Sequence, residues 1–164
     1  MIEAIKFALR YDPSPNPRVG AVLVDKNNKI KKITAHKEKD KDHAEYNLFK
    51  NSDITENDTL YVTLEPCFHD DTSPSCANAV LETNVQNIVV GDIDRDERTN
   101  GKGIELLKNN DLNVSIENGV NDFLNPGYKI KNDKPYLIGK VATSADHIMS
   151  VSYTHLTLPT ICSV

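Results

Sequence analysis

The chain has 164 residues, 38% of them apolar and 26% charged, with a net charge of −5. That composition suffices for one folded domain and excludes wholesale disorder. The acidic balance argues against a nucleic-acid binder, and the lack of an 18-residue apolar run argues against a membrane helix. Three cysteines, Cys67, Cys76 and Cys162, without a secretion signal point to a reducing, cytoplasmic setting and to metal or catalysis rather than disulfides.

In chain order, residues 2–10 are expected to form a helix with Ile2, Ile5 and Leu9 on one face and Ala4 and Ala8 beside them. The proline-rich stretch 12–17 forbids regular structure, and the apolar run Val19–Val24 reads as a buried strand. A turn at 25–28 leads into a second strand near 29–34, giving a hairpin. Residues 43–50 fit a helix burying Ala44, Leu48 and Phe49, and 59–64 a strand ending at Glu65-Pro66. After a polar loop come a helix over about 76–83, a strand at 87–91, a charged loop at 92–102, a helix at 103–108 and a strand at 112–116. Strands alternating with short helices predict an α/β fold with a mainly parallel sheet. Residues 121–132 read as a partial helix broken at Pro126-Gly127, suited to a linker, and 135–143 as a fresh apolar strand.

The chemistry sits in His43-Ala44-Glu45, Pro66-Cys67 and Cys76. One His and two Cys supply three ligands to Zn²⁺ and leave a fourth tetrahedral position open, the pattern of catalytic zinc. Zinc lowers the pKa of a bound water toward about 7. Glu45, in the first turn of its helix, is placed to handle protons there, and Cys76 at a helix start is favoured as thiolate. The order H-x-E, P-C, C is the zinc nucleobase-deaminase signature, except that eight residues separate the cysteines where two are usual. Gly101-Lys102-Gly103 ahead of a helix offers either an anion nest or a loop needing positive φ.

The longer inter-cysteine loop marks one branch of that superfamily. The chain resembles the deaminase domain of the bifunctional riboflavin-biosynthesis deaminase/reductase. SPNPRVGAVLV at 14–24, His36 seven residues before HAE, TLYVTLEPC at 59–67, VVGDID at 89–94 and GKGIELL at 101–107 carry the resemblance, which covers about residues 1–145. It implies a three-layer α/β/α cytidine-deaminase-like sandwich with a mostly parallel mixed sheet. It also implies zinc-dependent hydrolytic deamination of 2,5-diamino-6-ribosylamino-4(3H)-pyrimidinone 5′-phosphate to the aminouracil, with Glu45 moving the protons. His43, Cys67 and Cys76 would hold the metal, and Asn16, His36, His69 and Asp94 would line the substrate pocket. The only partner implied is that small phosphorylated pyrimidine, with a homo-oligomer left open.

The chain departs from the family in two loops. Asp71 and Thr72 stand where relatives carry Gly and then Lys or Arg, and Asp94-Arg95-Asp96-Glu97 replaces DPNP. Arg95 is the expected substitute for the missing loop cation. A deaminase of cytidine or dCMP type, and a silent zinc-stabilised assembly module, are the alternatives; an acid beside an open zinc position speaks against the second. PYLIGKVATSAD resembles the first strand of the family's reductase domain. The expected organisation is therefore a deaminase domain at 1–120, a linker at 121–134, a reductase stub at 135–150 without reductase activity, and a foreign tail at 151–164 resembling translated vector sequence.

Overall fold

A computed structural model describes residues 1–69 and 74–128. The expectations for Asp71, Thr72, the strand at 135–143 and the tail at 151–164 lie outside the described residues. Five strands and five helices alternate: α1 Ile2–Ala8, β1 Gly20–Val24, β2 Ile30–Ala35, α2 Ala44–Phe49, β3 Thr59–Val62, α3 Cys76–Leu81, β4 Asn87–Val90, α4 Lys102–Asn109, β5 Asn113–Ile116 and α5 Val120–Leu124. Among the described residues, no helix is long and apolar enough to cross a membrane.

The strands form one sheet in the order β2-β1-β3-β4-β5. The first three are antiparallel and the last three parallel, so pairings divide evenly in a mixed sheet. The antiparallel half follows from a tight connection. The Asp25 carboxylate accepts the amides of Asn27 and Lys29 at 2.8 and 2.9 Å, and Asn28 takes φ 59°, which closes the β1–β2 hairpin. The parallel half follows from the helical crossovers α3 and α4, because parallel strands cannot be joined by a tight turn.

Every residue of β1 is buried, because both faces of the strand are covered. Ala21 and Leu23 join Leu60, Val62, Ile88 and Val90 in the larger core, where Ala44, Leu48, Val80, Ile104 and Leu107 come from α2, α3 and α4. Val22 and Val24 face the other way, onto Ala4 of α1. This gives the three layers that the resemblance implied.

The buried face of α1 differs from the expected one. Ile2 and Leu9 are 69% and 51% exposed, while Ala4 and Ala8 are the buried positions. Close approach explains the choice: a Cβ on Gly20 would lie 2.2 Å from the Ala4 carbonyl oxygen and 3.2 Å from the Ala8 Cβ. Three small residues let helix and strand backbones touch, and larger side chains are left outside.

The partial helix expected near residue 121 is α5. α5 docks on the domain, burying Val120, Asn121, Leu124 and Asn125. Asn125 bonds both backbone groups of Arg18, accepting its N–H at 2.6 Å and donating to its carbonyl at 3.0 Å. The Pro126-Gly127 break that suggested a linker therefore follows a packed helix.

Gly20→Ala should force α1 off β1 and cost about 1–3 kcal/mol, the range for overpacking a close contact. Urea denaturation followed by circular dichroism measures it.

Candidate metal and active site

Three chain segments deliver the donors. His43 is the N-cap of α2, with extended backbone at φ −63° and ψ 163°, and its carbonyl accepts the Asn47 amide at 3.1 Å. Glu45 therefore falls in the first turn, as expected. Cys67 follows the end of β3, and Cys76 is the first residue of α3, whose N-cap Ser75 accepts the Asn78 amide at 3.3 Å. The three donor atoms lie within 4.8 Å of one another. His43 Nδ1 is 3.2 Å from the Cys76 sulfur and 3.6 Å from that of Cys67.

These separations fit a zinc ion. Zn–N and Zn–S bonds of about 2.0 and 2.3 Å at tetrahedral angles require N···S edges of about 3.5 Å. The thiols also behave as a pair. A hydrogen bond from Cys76, with His43 alongside, pulls Cys67 down to about 4 against the effect of burial, and the same pairing together with burial pushes Cys76 up. One thiolate forms readily and the second does not, so a bound dication is what would stabilise both.

Glu45 is 3% exposed and lines the same cavity. Burial raises its carboxyl to about 7, with His43 opposing that shift and Cys67 adding to it. A carboxyl in that range can both hold and release a proton at neutral pH.

The remaining sequence-predicted residues meet here as well. Asn16, His36, His69 and Asp94 all line the cavity. The Asn16 side-chain amide donates to His36 Nε2 at 3.1 Å, while His36 Nδ1 faces the Asp42 carbonyl at 3.2 Å. Burial lowers the pKa of His36, which suits the neutral ring this arrangement needs. His69 Nδ1 lies 3.3 Å from the Thr99 hydroxyl, which also accepts the Phe68 amide at 3.3 Å. Burial raises the carboxyl of Asp94, and the carboxylates of Asp96 and Glu65 add to the effect.

Arg95 does not fill the role expected of it. It turns away to α5, pairing with Asp122 and donating to the Tyr128 carbonyl at 3.4 Å. The polar residues that line the cavity and escaped sequence reasoning are Glu65, Asp96, Arg98 and Tyr128. The Tyr128 hydroxyl meets Asp94, although the residue lies within the expected linker. Only Glu65 had a usable signal, an acid at the end of an apolar strand immediately before Pro-Cys.

Glu65 settles the glycine-rich segment. Its Oε2 accepts the amides of Asp94 at 3.0 Å and Gly101 at 2.8 Å, and Oε1 accepts that of Ile104 at 3.1 Å. Gly101 takes φ 90°, and a Cβ on Gly103 would lie 2.3 Å from the Pro66 carbonyl oxygen. The nest at the start of α4 is real, and its anion is the protein's own carboxylate.

A mixed α/β sheet carrying one imidazole, two thiols and a buried acid in a cleft has the donor set of a candidate catalytic zinc site. Residues 1–92 match the model of the cytidine and deoxycytidylate deaminase zinc-binding region, and the chain belongs to that family. Among individual relatives, it is 34% identical over 119 residues to the diaminohydroxyphosphoribosylamino-pyrimidine deaminase of Buchnera aphidicola, covering 71% of this chain and 80% of that one. It is 36% identical over 138 residues to the riboflavin biosynthesis protein RibD of Aquifex aeolicus, covering 80% of this chain and 38% of that one. The structure of Acinetobacter baumannii RibD superposes with a TM-score of 0.69 at 34% identity, over 78% of this chain and 37% of that one. The chain thus spans most of a stand-alone deaminase and well under half of the RibD proteins.

Glu65→Gln places an amide N–H₂ against backbone donors. It should cost about 2–4 kcal/mol, since each buried group left unpaired costs about 1–3 kcal/mol. By loosening the Pro66-Cys67 turn it should also weaken zinc binding about 10–100-fold. Chelator competition reads the second effect and urea denaturation the first.

Proposed function

We propose that the protein hydrolytically deaminates 2,5-diamino-6-ribosylamino-4(3H)-pyrimidinone 5′-phosphate to the corresponding aminouracil, a step of riboflavin biosynthesis. The observation that carries the reading is the convergence of His43, Cys67 and Cys76 on one point beside the buried Glu45. The relatives' names supply the substrate class.

In this reading His43 Nδ1 and the two cysteine sulfurs hold Zn²⁺. When bound, the metal supplies the Lewis acidity that makes water a nucleophile at neutral pH. The Glu45 carboxylate takes a proton from the attacking water and passes protons to the ring nitrogen and to the departing amine. A C–O bond forms, the exocyclic C–N bond breaks and ammonia leaves, with no electron donor or acceptor required. Asn16 and His36 form one wall for the base, and His69 and Asp94 another. The His36 contact fixes the Asn16 amide, so that wall is set before substrate arrives. The deaminase unit in this reading starts at residue 1 and includes α5, and residues 135–150 are the start of a reductase-like segment.

Glu45→Gln should retain one zinc per chain and lose at least about 100-fold in turnover, the lower end of what a positioned acid–base supplies. Zinc content by atomic absorption and ammonia release from the diaminopyrimidine ribotide measure the two halves. Undiminished turnover in the variant, or a preference for cytidine or dCMP in the wild type, would overturn the reading.

A further inference from the structure

The cavity's charge is lopsided for the substrate just proposed. Four carboxylates line it, from Glu45, Glu65, Asp94 and Asp96. A phosphate monoester carries about −1.5 to −2 charges near pH 7. Among the described lining residues, Arg98 is the only one with a permanent positive charge. Among the described residues, the other basic side chains near the cavity make contacts outside it. Arg18 pairs with Asp12 at 3.2 Å and bonds the Tyr11 carbonyl at 3.0 Å. Arg95 pairs with Asp122, and Lys102 bonds the carbonyls of Glu97 and Arg98 at 2.9 and 3.4 Å.

We propose that Arg98 binds the 5′-phosphate of the substrate and thereby sets the preference for a nucleotide over a nucleoside. This rests on the deaminase reading above. Asp96 holds the guanidinium in place: Nε is 3.1 Å from Oδ1 and Nη2 is 2.8 Å from Oδ2. The Arg98 amide also donates to Asp96 Oδ1 at 3.0 Å, which ties backbone and side chain to one carboxylate. A guanidinium has five N–H donors in a planar fork, so a carboxylate and a phosphate can share it.

Burial orients the ligand. Glu45 is 3% exposed, whereas the Arg98 side chain is 57% exposed. The uncharged base therefore enters first, and the phosphate stays at the mouth, where its desolvation costs least. Asp96 is itself buried, so the carboxylate that fixes the arginine is largely withdrawn from bulk solvent although it lines the cavity.

The test compares the diaminopyrimidine ribotide with its dephosphorylated riboside, using the full-length zinc-loaded protein, Arg98→Ala and Arg98→Lys. In Arg98→Ala the kcat/KM preference for ribotide over riboside should fall about 10–100-fold, the worth of one charge-assisted phosphate contact, mostly through the ribotide KM. Arg98→Lys, which keeps the charge but not the fork, should retain an intermediate preference. Titration calorimetry with ribose 5-phosphate should show the same ranking without turnover. Equal loss on both substrates in Arg98→Ala would assign the residue to loop structure, and an unchanged preference would remove it from the site; either result overturns the proposal. If the wild type deaminates neither compound, the functional reading fails, and ribose 5-phosphate binding alone decides the role of Arg98. Equal binding by wild type and Arg98→Ala then overturns it.

Discussion

The carboxylate of Glu65 bonds three backbone amides that belong to separate parts of the chain: Asp94 after β4, and Gly101 and Ile104 at the start of α4. Because Glu65 is followed directly by Pro66 and Cys67, the position of a metal-donor candidate and the position of the loop that forms the cavity's acidic wall share one anchor. A charge buried this way is stable only if its acceptor capacity is filled, and here backbone donors and the dipole of α4 fill it. Gly103 completes the joint by allowing α4 to approach the Pro66 carbonyl. Cys67 and the acidic wall of the cavity are therefore one mechanical unit.

The contrast between Glu65 and Glu45 shows how environment separates two buried carboxylates. Glu65 has its oxygens taken up by three backbone N–H groups, whereas burial beside His43, Cys67 and Cys76 leaves Glu45 able to carry a proton near neutrality. One acid is structural and the other is available for chemistry, although both sit in the same cleft.

Much of this was legible in the sequence where local pattern and chemistry coincide. The unbroken run Val19–Val24 announced a buried strand, and H-A-E, P-C and C marked three residues whose ligand atoms the fold brings within 4.8 Å of one another. What was hidden depended on contacts between distant segments. The face of α1 could not be read from hydrophobicity, since the decisive contact is a backbone approach allowed by Gly20, Ala4 and Ala8. Arg95 and Arg98 stand three residues apart in an irregular loop without periodicity, so nothing local told which one faces the cavity. The docking of α5, read in the sequence only as a partial helix, was hidden because its anchor, Asn125 on the Arg18 backbone, spans 107 positions.

Cys67 and Cys76 are nine positions apart within one strand–loop–helix unit, joined by backbone bonds from Cys76 N to the Cys67 sulfur and from Ala77 N to the Cys67 carbonyl, at 3.2 and 3.1 Å. His43 lies 33 positions from Cys76, on a helix that packs against β1 and β2. Closing the short loop costs little chain entropy and closing the long one costs more. The sulfur pair can thus assemble early and locally, while the imidazole arrives only once α2 has settled on the sheet. Completing the donor trio requires α2 to be packed on β1 and β2, so its geometry reports on the assembled sheet.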